Sequence, residues 1–220
     1  LPNLNWNTKN VTNMSYMFGR CKTLKSLNIS NFNTSNVMTM DHLFHSCSNL
    51  TELNLDIFDT LSVTDMKYMF DNCLNLETLN INNFKTENVE NMESMFASCE
   101  KLEIIDVSKF NTSNVQTMSH MFNKCKSLNS LNLTNFETYN VTNMEYMFNG
   151  CLKLISIDIS KLDTFNVEKM GYMFASCKSL LSIDLSLMDT SSAQYMEHMF
   201  ENCNSLSFLN LSEFKYLFTS

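Results

Sequence analysis

The sequence predicts an α/β fold: a right-handed solenoid with one short parallel strand and one short helix in every 26-residue repeat. Three observations predict it. The eight cysteines, Cys21, Cys47, Cys73, Cys99, Cys125, Cys151, Cys177 and Cys203, follow one another at 26-residue intervals with no insertion, the mark of a stacked array. Met14, Met40, Met66, Met92, Met118, Met144, Met170 and Met196 keep that register, as do Phe18, Phe44, Phe70, Phe96, Phe122, Phe148, Phe174 and Phe200. Two hydrophobic periods also alternate within each unit, one near that of a helix and one of two.

The helical element comes first. Val37, Met40, Leu43, Phe44 and Cys47 fall at i, i+3, i+6, i+7 and i+10, the stripe of a short helix with one buried face. Asn36, like Asn10, Asn88 and Asn114, stands where an N-cap belongs. The strand follows the cysteine: Leu50 leads to Leu53 and Leu55, which alternate with outward Asn54. The turn that closes the unit carries Thr8, Thr34, Thr60, Thr86, Thr112, Thr138, Thr164 and Thr190, whose hydroxyls suit backbone groups of a turn. No single unit can cover its own apolar side, so neighbours must share one core.

The array is expected to be one solenoid domain over residues 1–220 and a segment of a longer protein. The chain starts mid-unit, with Leu1 in the place of Leu27 and Trp6 in that of Phe32. It ends past a strand expected at Asn210 to Phe214, with Tyr216 where the other units have Thr.

Composition narrows the function. A net charge of −8 and a pI near 4.9 oppose binding to nucleic acid, which needs clustered Lys and Arg. No apolar run is long enough to span a membrane, and no signal peptide opens the chain. No nucleophile, base and orienting group converge, and no Gly-rich phosphate loop exists, so the chain is not expected to be an enzyme or to hold a cofactor or metal.

The unit V-x-x-M-x-x-M-F-x-x-C-x-x-L-x-x-L-x-L-S-x-F-x-T, seen from Asn10 through Thr34 and again from Asn88 through Thr112, resembles the BspA-like leucine-rich repeat surface proteins, including the mycoplasma-type surface repeat. The resemblance covers nearly the whole chain. It implies a leucine-rich-repeat-like solenoid at the cell surface or secreted, acting in adhesion or protein–protein contact. The partner would be a protein or glycan of a host or neighbouring cell. A structural spacer displaying other domains is the alternative.

The columns supply the candidate site. The outward strand column reads Asn28, Asn54, Asn80, Asp106, Asn132, Asp158, Asp184 and Asn210, with Ile104 and Phe208 as exposed apolar departures nearby. A partner would meet these residues on a concave strand face, because a wider helical side would curve the array around the strands. A purely structural account is an Asn ladder, with side-chain amides bonded to one another up the stack. The cysteines read as buried free thiols. His42, His120 and His198 share a column with Tyr16, Tyr68, Tyr146 and Tyr172, an aromatic stripe rather than an active site. His42 and His45 could share a face, but two imidazoles alone make weak zinc ligands.

Overall fold

The computed structural model describes residues 6–212; Leu1, Phe214 and Tyr216 lie outside them. Counting from Asn10, successive 26-residue repeats stack in parallel. The core runs unbroken through the stack, with the Met, Phe, Cys, Val and Leu columns buried. Four strands of three residues are formed: β1 (Glu52–Asn54), β2 (Thr78–Asn80), β3 (Ser182–Asp184) and β4 (Phe208–Asn210). The last strand thus ends where the sequence suggested one would begin. β1 pairs with β2 and β3 with β4, each parallel and offset by one repeat, as Leu53↔Leu79 and Ile183↔Leu209.

The helix expected in each repeat is absent: among the described residues none is helical. The segment from Met40 to Leu50 is a run of tight turns, in which Leu43, His45, Cys47 and Leu50 donate their amides to the carbonyls of Met40, His42, Phe44 and Cys47, three residues back. The alternate amides leave the repeat. Met40, His42, Phe44 and Ser46 donate to Asp65, Lys67, Met69 and Asp71 of the next one at 3.0, 2.9, 2.9 and 2.7 Å. A helix would send every amide four residues back; here half are spent on the neighbour. All seven interfaces between described repeats carry the same four bonds, all donated toward the C-terminal neighbour.

Two residues per repeat make this geometry possible by adopting positive φ, as His42 does at 56° and Ser46 at 58°. Left-handed backbone costs an L-residue roughly 1–2 kcal/mol, and it persists here because the inter-repeat bonds over-determine it. A three-residue turn repeat also buries positions i, i+3, i+7 and i+10, which is why the apolar stripe imitates a helix. The Asn column corrected with it is that of Asn36, Asn88 and Asn114. These are not N-caps; their amide nitrogens donate back to the carbonyls of Lys9, Leu61 and Glu87 in the preceding repeat.

Side chains complete the bonding between repeats. Thr60 donates its hydroxyl to the Lys85 carbonyl at 2.8 Å and accepts the Lys85 amide at 2.7 Å. The buried Thr column repeats this donation from Thr8 through Thr164, so it straps neighbouring repeats as well as satisfying turn groups. Each cysteine from Cys47 to Cys203 points its thiol at the carbonyl of the previous repeat's Phe, at 3.0–3.3 Å.

Ring stacking reports the spacing on the two sides. Tyr16, His42 and Tyr68 stack on the turn face with centroids 4.2 and 4.6 Å apart, and His120, Tyr146, Tyr172 and His198 continue at 4.6 Å. The core column from Phe18 to Phe200 stacks at 5.4–5.8 Å. Phe32 and Phe58, beyond the strand, lie 6.5 Å apart. The stacked rings are thus closest on the turn face, and the helical girth from which a concave strand face was argued does not exist among the described residues.

Candidate recognition surface

The strand face is shaped by an Asx turn at the end of every strand segment. The side-chain oxygen of Asn54 accepts the backbone amide of Asp56 at 3.0 Å. Asn28, Asn80, Asp106, Asn132, Asp158, Asp184 and Asn210 do the same two residues on. The column's side-chain oxygen thus makes an Asx-turn bond within each repeat, and a bond up the stack is also made from Asn210 to Asp184. Because only an oxygen is needed, Asn and Asp serve equally, and the positions that carry Asp add a negative charge at no structural cost.

Those charges are well held. Hydrogen bonds from the backbone and hydroxyl of Ser160 keep Asp158 below the usual carboxylate range. The hydroxyl and amide of Ser186, with Asn210, do so for Asp184, and Ser108 does so for Asp106. All three are ionised at neutral pH. Ile104 and Phe208, the two apolar departures expected to be exposed, are 68% and 60% exposed. The sequence did not single out Ile155, Leu181 and Leu187, which are also exposed on this side.

The strand face carries a cleft between the sixth and seventh repeats. At the ends of β1 and β3 an amide closes the corner onto the next repeat: Leu55 to the Asn80 carbonyl at 2.9 Å, and Leu185 to that of Asn210 at 3.0 Å. The other described corners, Ile159 to Asp184 among them, lack that bond, although Leu181 donates to Ile155 at 3.0 Å. The cleft, of about 360 Å³, is within the size range of small-ligand sites, about 300–1,000 Å³. Ile157, Ile159, Leu162, Ile183 and Met188 form its apolar lining. Asp158 and Asp184 line it too, with Ser156, Ser182 and Leu187. Two of the ten site residues thus meet at one cavity, while Ile104 lines a separate, more open depression with Glu77, Lys101 and Glu103.

The turn face carries a second polar group. His42 Nδ1 lies 3.1 Å from Asp41, and His45 Nδ1 lies 2.9 Å from the buried carboxylate of Asp71. The latter is a charge contact out of line with the ring N–H rather than a hydrogen bond. Burial pushes the Asp71 carboxyl up and the His45 imidazole down, so the pair is disposed toward its neutral forms. Asp41 is held below its ordinary value, the hydroxyls of Ser15 and Thr39 and the ring of His42 overcoming desolvation. Each imidazole keeps its own carboxylate. No three His, Cys, Asp or Glu among the described residues are grouped to hold a metal ion, and none of the helical kind of membrane span occurs there. All eight cysteines are free; Cys21 is exposed, Cys203 half-buried and the other six buried, so the expectation of eight buried thiols fails at Cys21.

Three overlapping stretches of the chain, residues 3–103, 48–151 and 125–216, match a family described as Mycoplasma protein of unknown function, DUF285. No curated protein matches. Among solved structures, the chain is similar to a leucine-rich repeat protein from Bacteroides ovatus ATCC 8483. The two share 18% identity over 92% of this chain and 58% of that one, with a TM-score of 0.42. It is also similar to a leucine rich cell surface protein from Faecalibacterium prausnitzii A2-165, at 18% identity over 91% of this chain and 76% of that one, with a TM-score of 0.33.

Proposed function

The chain belongs to the family described as Mycoplasma protein of unknown function, DUF285, and from that premise we propose a non-enzymatic recognition module of a cell-surface or secreted protein, binding a protein partner through its strand face. The observation that carries this reading is the strand face itself. Solvent-exposed Ile104, Ile155, Leu181 and Phe208 share it with permanently charged carboxylates and an open cleft. Apolar anchors in a polar surround are the usual composition of binding hot spots. Adhesion to a host or neighbouring cell is the role this surface fits. The continuous four-bond spine of the turn side favours a second reading, a stiff spacer.

Beads coated with the chain, with an Ile104→Ser/Phe208→Ser variant, or with a turn-face Glu145→Lys variant distinguish the two. A recognition module makes beads adhere to cell surfaces, loses most of that adhesion in the strand-face variant and keeps it in the Glu145 variant. A spacer adheres no better than uncoated beads. Loss in the Glu145 variant alone would move the surface to the turn side.

A further inference from the structure

The cleft between the sixth and seventh repeats has a chemistry of its own. Taking the strand face as the recognition surface, on which the proposal rests, we infer that the cleft is a specific subsite for an extended peptide segment in which an apolar side chain is flanked by lysine or arginine. The apolar group enters the cleft and the cation meets Asp158 and Asp184.

The apolar half of the match follows from the lining. Ile157, Ile159, Leu162, Ile183 and Met188 are core residues of their repeats, and all five line the cleft between Asp158 and Asp184. An apolar group placed there meets an apolar floor. Leu187, 68% exposed, stands at the cleft and extends the apolar surface outward.

The basic half follows from charge. Asp158 and Asp184 hold adjacent places in one column, in a protein of net charge −8. Lys161 is the cation acting on Asp158, while neutral Asn210 acts on Asp184. Six hydroxyl or carboxylate side chains line the cleft, Ser156, Asp158, Ser160, Ser182, Asp184 and Ser186, and no cationic one does. An acidic peptide would meet like charge, and a purely apolar one would leave Asp184 without a cation, since Lys161 acts on Asp158 alone.

The repeat array supplies variants that the fold already tolerates. Asn occupies the Asp158 column at Asn54, Asn80 and Asn132 and makes the same Asx turn, so D158N/D184N removes charge and keeps the turn. Phe208 occupies the Ser182 column in the next repeat, so S182F fills the cleft with a residue that β4 accommodates.

The test is fluorescence anisotropy on the full chain with three dye-labelled peptides in a Gly/Ser background, carrying Lys-Leu-Lys, Glu-Leu-Glu or Lys-Ser-Lys at the centre. Lys-Leu-Lys should bind at least tenfold more tightly than either other peptide. D158N/D184N should weaken it about fivefold, consistent with two exposed charge contacts, and erase the preference for Lys over Glu. S182F should abolish binding, with far-UV circular dichroism unchanged in both variants. Equal binding of Lys-Leu-Lys and Glu-Leu-Glu, binding unchanged in both variants, or no binding of Lys-Leu-Lys would each overturn the inference. Bead adhesion that depends on Ile104 and Phe208 but is not competed by Lys-Leu-Lys would leave the strand face as the recognition surface and assign it another ligand, such as a glycan.

Discussion

Replacing Thr86 by Val and by Ser sets two physical accounts of the threonine column against each other. Thr86 is 1% exposed; its hydroxyl donates to the Asn111 carbonyl at 2.8 Å and accepts the Asn111 amide at 2.9 Å. Val keeps the shape and the apolar area but removes both part-buried bonds to the exposed Asn111, each worth about 0.5–1.5 kcal/mol net. The expected loss is therefore about 1–3 kcal/mol. Ser keeps the hydroxyl and removes one methyl, at about 1 kcal/mol. The turn bond from the Val89 amide to the Thr86 carbonyl, 3.0 Å long, is untouched in both variants. Urea titration followed by circular dichroism should place Val below Ser in stability, the reverse of their hydrophobic order. If Val proves as stable as Ser or more so, the column is packing material and the strap between repeats carries no stability.

Removing one whole repeat, Asn88 to Ser113, should leave a shorter folded array, because every interface carries the same four turn-side bonds, whereas removing 13 residues should abolish cooperative unfolding; circular dichroism melts read the difference. In native protein, Cys21 should react first with a thiol reagent and Cys203 next. The six buried thiols should label only on unfolding, since burial raises Cys47 to about 11 and both Cys125 and Cys177 to about 12 and the thiolate is the reactive form. Rapid native labelling of the buried six would contradict this. Burial lowers the pKa of His120 against the pull of Glu93 and Glu145, so the unfolded chain binds the proton more readily. The stability this residue permits is complete above its unfolded value near 6.5 and falls as pH drops through that value toward the folded one. His120→Tyr, a residue its own column uses at Tyr146, should gain stability at pH 5 relative to pH 8; an equal effect at both would refute the linkage.

The array, its register and its core columns were legible in the sequence because each is a periodic placement of apolar mass. The segment around Met40 was misread because i, i+3 and i+7 burial is shared by helices and by chains of three-residue turns. The discriminating signal was the column Arg20, Ser46, Asn72, Ser98, Lys124, Gly150, Ser176 and Asn202, where Gly and Asn betray a left-handed backbone; all eight have positive φ. The mixture of Asn and Asp from Asn28 to Asn210 likewise pointed to an oxygen acceptor, since the side-chain oxygen is what the two residues share. Asp158 and Asp184 could be named from that column. The cleft between them could not, because the segments that line it carry the same column residues as segments elsewhere in the array that line no such cleft.

The four forward-donating amides per interface on the turn side give the molecule an electrical polarity. In an ordinary parallel sheet, amides and carbonyls alternate across each interface and their dipoles largely cancel. Here four amide dipoles per interface point toward the C-terminal neighbour and outnumber those that point back, such as Gln116 to the Glu90 carbonyl, so a net moment adds along the stack as it does along a helix axis. Each duplicated unit brings the same excess of forward donors. Gene-level gain or loss of a repeat is thereby neutral in hydrogen bonding, while the moment grows in step with length. A lineage can tune reach and field together by counting repeats, with no new side chain to invent.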